Sequence, residues 1–164
     1  MAMAVTFTAC EPNNETTENE TTGKSLIFCC GQDTITAGSI YTSSKLDEAY
    51  AELGITRFSP EINLIGDTNG EVTITVESLN ETAIDVCVFG SCKRTIAALN
   101  YTITASGNIS SATPLPLDIH YSVPVDVNTP QVFHAEALIT AYYEGEEDNA
   151  VSFTLVMTDD AEEE

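Results

Sequence analysis

The chain contains no tryptophan, only 7% aromatic residues and just five lysines and arginines in 164 positions. Sparse rings argue against a sugar-stacking platform and favour protein over glycan contact. The shortage of cations leaves 26 acidic side chains to set a formal net charge of −21. That field repels phosphate backbones and anionic lipid heads, so nucleic acid is disfavoured as a partner and a membrane can be met only through an anchor. Its plainest role is to keep an exported protein soluble. No stretch approaches the roughly 18 apolar residues of a membrane-spanning helix.

Catalytic material is equally thin. No Gly-x-Ser-x-Gly elbow occurs, and there are two histidines, His120 and His134. Strand alternation places His120 opposite Leu117, Ile119 and Tyr121, hence outward, and His134 opens a later strand. Both read as surface or edge residues rather than as the base of a hydrolytic triad. Acids are so abundant that no pair stands out for glycoside hydrolysis. The oxygen-rich stretches 67–71 and 144–149 lack the complete twelve-residue calcium loop and read as polar turns. The chain is predicted to be non-catalytic, with no metal and no cofactor. The alternative from another class is a small secreted hydrolase or a thiol-redox protein.

What the sequence does hold is a pair of cysteines, Cys87 and Cys92, enclosing four residues with Gly90-Ser91 among them. A strand reversing at Gly90-Ser91 brings the two Cα atoms within disulfide reach. A zinc site would need a second ligand pair at similar spacing, which Cys29, Cys30 and the separated histidines do not supply. Cys29 and Cys30 point to opposite faces of a strand, one inward and one outward. They read as core fillers, or one of them pairs with Cys10; no basic neighbour marks either as a reactive thiol.

Residues 1–10 are apolar, uncharged and end in small residues before Cys10. They resemble the back half of a bacterial lipoprotein signal, with Cys10 as the lipidated residue, although the basic start of such a signal is missing. Residues 11–24 follow as a polar tether rich in Glu, Asn and Thr, unable to form a core. Residues 25–158 form one domain, and 159–164 an acidic tail.

Within the domain, short β-rich runs alternate with turn residues. Runs are predicted at 26–29, at 34–41 with a break at Gly38, at 60–65, 71–78 and 84–89, at 101–105, 115–121, 132–143 and 150–157. The loop 66–70 suggests a hairpin joining 60–65 to 71–78, and 144–149 a second one closing the chain. Leu46, Ala49, Tyr50 and Leu53 recur at helical spacing and predict a short helical connection. The fold class is all-β: an immunoglobulin-like antiparallel sandwich of about eight strands.

The strand 71–76, the insert 79–82, Cys87 with Gly90-Ser91-Cys92, and the later Asp118-Ile119-His120-Tyr121 together resemble exported domains of Bacteroidetes cell-envelope proteins and lipoproteins. That resemblance implies an immunoglobulin-like sandwich, secreted or held in the cell envelope, with no assigned reaction and with protein partners there. It also implies that Asp33-Thr34-Ile35 fits the O-glycosylation acceptor pattern of that group, at Thr34. Asn14, Asn19, Asn80, Asn100 and Asn108 each fit Asn-x-Ser/Thr, a pattern that chance supplies in so Thr-rich a chain.

Overall fold

The computed structural model describes residues 23–128 and 131–159. Among these are twelve strands in two sheets and two short 3-10 helices. The first sheet runs β2 (Asp33–Ile35), β1 (Leu26–Cys30), β5 (Glu61–Gly66), β10 (Leu115–Pro124), β7 (Asp85–Val88), β8 (Ser91–Arg94); β4 (Ile55–Phe58) pairs with the second half of β10. The second runs β3 (Ile40–Ser43), β12 (Val151–Thr158), β11 (His134–Tyr143), β6 (Gly70–Ser78), β9 (Thr102–Ile109).

Alternation explains the packing of the sheets. Val72, Ile74 and Val76 of β6, Ile139 of β11 and Phe153, Leu155 and Met157 of β12 are buried. They face Phe28, Ile62, Leu64, Val86, Leu117 and Ile119 of the first sheet in one core. Phe28 meets Phe153 across the two layers edge to face, with centroids 4.9 Å apart.

The strand runs stand close to their predicted positions, but the connectivity differs in three places. Strands 60–65 and 71–78 do not form a hairpin: β5 belongs to the first sheet and β6 to the second, so 67–69 carries the chain across the core. Tyr143 holds this crossing, its hydroxyl donating to the Thr68 carbonyl at 2.6 Å and accepting from the Thr68 amide at 3.3 Å. Gly66 lacks the Cβ that would stand 2.2 Å from that oxygen. The run 34–41 is likewise split between sheets, β2 in one and β3 in the other, with Gly38 at φ +76° in the connection.

The third difference is direction: β3 lies parallel to β12, although the remaining pairs are antiparallel. The predicted helical connection is present between β3 and β4. It is a 3-10 helix, Glu48–Leu53, capped by the Asp47 carboxylate and by Gly54 in the left-handed region, and it buries none of its residues. Leu46 and Leu53 of the periodic stripe remain 50% and 69% exposed. No helix among the described residues is long and apolar enough to cross a membrane.

Candidate functional site

The Cys87–Cys92 disulfide is formed, with a Cα separation of 4.0 Å. The two residues are direct partners across the β7–β8 ladder, next to the closing pair Val88 and Ser91. Alternation makes theirs the non-hydrogen-bonded pair, where Cβ atoms approach most closely. The reversal lies one residue earlier than its predicted place, at Phe89-Gly90. Both have positive φ, 51° and 72°, as a two-residue type I′ turn requires. Phe89 accepts that conformation while laying its ring on Gly107 of the opposite sheet, where a Cβ would come within 2.5 Å of it.

His120 stands on the outer side of its strand, as alternation requires, yet it is no free surface residue: its exposure is only 8%. Its Nδ1 lies 3.0 Å from Asp118 and its Nε2 3.5 Å from Asp85. Arg94 joins Asp85 at 3.2 Å, and Arg57 approaches Asp118 and Asp47 at 3.7 Å each. The Arg57 guanidinium lies 4.4 Å over the Tyr50 ring. Both arginines of this acidic chain therefore stand in one strip of alternating charge across β4, β10, β7 and β8. Arg57 and Asp85 carried no motif, and Asp118 entered only as part of the Asp118–Tyr121 run, since only cross-strand register brings 57, 85, 94 and 118 together. The other imidazole, His134, meets Glu136 at 2.6 Å. Among the described residues neither ring is hydrogen-bonded to a hydroxyl or thiol, the contact that a triad would use.

The acidic turn at 67–71 is occupied with structure. Burial would raise the Asp67 carboxyl, but hydrogen bonds from the Ser25 amide and hydroxyl and from the Thr68 hydroxyl outweigh it and hold the group below its ordinary range. Asn69 accepts from the Ser111 amide and hydroxyl at 2.8 and 3.1 Å. Cys29 is buried, and Cys30 is half-buried at the core margin. Burial, and then a hydrogen bond with Cys30, push the Tyr41 phenol well above its ordinary range. Thr34 is exposed on the short strand β2. Cys10 lies outside the described residues.

Exposed apolar side chains are distributed unevenly. Among the described residues, all the large ones except Ile40 lie on three connections: Leu46 and Leu53 between β3 and β4, Ile96, Leu99 and Tyr101 between β8 and β9, Val125, Val127 and Val132 between β10 and β11. Strand direction brings these connections to one end of the sandwich. There the Val125 amide donates to the Gly54 carbonyl, and Ser78 exchanges backbone hydrogen bonds with Asn100 and Tyr101. Asn80, in the fourth connection at this end, donates to the His134 carbonyl. The opposite end carries Asp67, Asn69 and the acidic turn before Glu147–Asn149.

The molecule is thus an all-β sandwich of two facing sheets, with apolar loops at one end and polar turns at the other. No family model and no curated protein matches the chain. Among solved structures, it is similar to the N-terminal domain of PorA, with a TM-score of 0.55 at 9% identity over 82% of this chain and 96% of that one. The likeness is one of fold.

Proposed function

We propose that this chain is an exported, non-catalytic module that binds a partner protein at the bacterial cell envelope through its apolar loop end. The segregation of exposed apolar side chains carries the reading: Val127 and Val132 are 89% and 80% exposed, and apolar surface gathered in one place marks contact sites. Asp47, Glu48, Glu52 and Asp126 lie on the same connections, so the complementary surface is apolar at its centre and basic at its rim. The Cys87–Cys92 bond suits an oxidising compartment. The fold shared with the PorA domain supports a sandwich module, and the resemblance to Bacteroidetes envelope domains supports export, a lipid on Cys10 and a glycan on Thr34.

A photoreactive side chain placed at position 127 in the native host, with a second variant at 147 on the polar end, tests the contact. A discrete cross-link to another protein from 127 and none from 147 is the expected result. Equal labelling from both ends, or none from 127, would sink the reading. Mass spectrometry of the mature N-terminus should find an acylated Cys10; an intact Met1 removes the anchor.

A further inference from the structure

We propose that the free edge of β9 is a second docking site, which takes an extended peptide segment of a partner protein as a sixth strand of the second sheet. The segment would carry small apolar side chains at alternate positions and one inward carboxylate opposite Lys93. β9 terminates its sheet, with β6 as its neighbour on the other side. Thr102, Thr104, Ser106 and Asn108 turn their backbone groups away from β6, because the Thr104 carbonyl accepts from Lys93 Nζ across the gap at 2.9 Å and residues two apart share that direction.

Edges of this kind are ordinarily blunted by brevity, charge or proline. β2, β3 and β8 have three or four residues each, and β8 carries Lys93 and Arg94. β9 has eight residues in unbroken register, with neither a charge nor a proline. Beside it, between the sheets, lies a cleft of about 210 Å³ lined by Val86, Val88, Phe89, Ile103 and Ala105, with Lys93 across it.

Lys93 fixes the chemistry of the occupant. It pairs with Val86 in register and so projects to the inner side, toward β9. Among the described residues it meets no carboxylate, whereas Arg94 holds Asp85 and Lys45 holds Glu61. A peptide amide that takes over the Thr104 carbonyl releases the ammonium, and an inward carboxylate on the incoming strand receives it. Glu71 and Glu77 of β6, opposite Asn108 and Thr102, alternate with the buried Val72 and Val76 and so lie on the outer face of the sheet, away from the inward carboxylate. A second copy would bring its own net charge of −21 to the same edge, which disfavours β9 pairing with itself.

Panning a displayed library of random octapeptides against the intact protein tests the site, with Thr104→Pro as the counter-variant. Proline at 104 removes only the amide that faces the free edge, so the ladder to β6 survives. Amide spectra of that variant should change around β9 and stay unchanged in β11 and β12. Enriched peptides should alternate apolar residues around one Asp or Glu, and should bind both Thr104→Pro and Lys93→Glu at least tenfold more weakly. Equal binding to Thr104→Pro, or no enrichment, overturns the proposal. So does a dimer in light scattering that Thr104→Pro dissociates, which assigns the edge to a second copy. Peptides lost instead with Val127→Ser would belong to the loop end, so the two sites fail separately.

Discussion

Removing one oxygen atom should relieve a clash that another substitution creates. Tyr143→Phe deletes the hydroxyl that makes two hydrogen bonds with the Thr68 backbone, and should cost about 1–1.5 kcal/mol. Gly66→Ala puts a Cβ 2.2 Å from the same oxygen, an overlap that forces Tyr143 or the crossing strand to move, at about 1–3 kcal/mol. Without the oxygen, the nearest atoms to that Cβ are Cζ at 3.3 Å and a Leu26 methyl at 3.4 Å, distances that small adjustments absorb. The double variant should therefore be more stable than the sum of the singles by roughly 1–2 kcal/mol, where independent sites add to within about 0.5. Urea denaturation of the four proteins measures this directly. In melting temperature, each kcal/mol is worth about 2–4 °C for a domain near this size. Additive losses would refute the claim that Gly66 is glycine to admit the Tyr143 hydroxyl.

Three further outcomes follow from the same contacts. Replacing Cys87 and Cys92 by serine should remove about 2 kcal/mol, the chain-entropy value for a closed loop with a separation of 5; a midpoint in oxidised wild type equal to that of the variant would contradict it. Gly107→Val pushes a Cβ into the Phe89 ring and should cost about 1–3 kcal/mol, with Phe89→Ala in the same chain restoring most of the loss. Burial raises the phenols of Tyr41, Tyr121 and Tyr143, so the native state holds them protonated while the unfolded chain ionises near pH 10. That stabilisation is complete below about pH 10 and is lost as pH rises toward the native values. Denaturation midpoints should therefore fall above about pH 10, and a flat profile would count against the burial of these rings.

The strands were legible because alternation is a local property: Val72, Ile74 and Val76 mark their inward face within five residues. Sheet membership was not. A polar loop with glycines at both ends serves a hairpin and a crossing equally well, and what selects the crossing is Tyr143, more than seventy positions away. The outward direction of His120 was readable, but its burial was not, because Asp85 reaches it only through β7, and Arg57 reaches its partner Asp118 only through β4. The helical connection was legible in its spacing, but the exposure of its apolar stripe was not. Leu46 and Leu53 have the spacing of a buried face, but they remain exposed on the apolar loop end. The candidate contact surface is thus a property of connections, visible only when strand direction gathers three of them.

The parallel pairing of β3 with β12 also bears on how the molecule is made. Ile40–Ser43 has Val151–Thr158 as its sheet partner, and β6 pairs with His134–Tyr143. A chain emerging from the ribosome therefore holds β3 and one side of β6 unpaired until almost the whole domain has been synthesised. Such long-range closure slows folding and keeps the nascent chain extended. For an exported protein, as proposed above, this delay would leave the chain threadable through a translocation pore until its last strand is available, with the disulfide acquired on the far side.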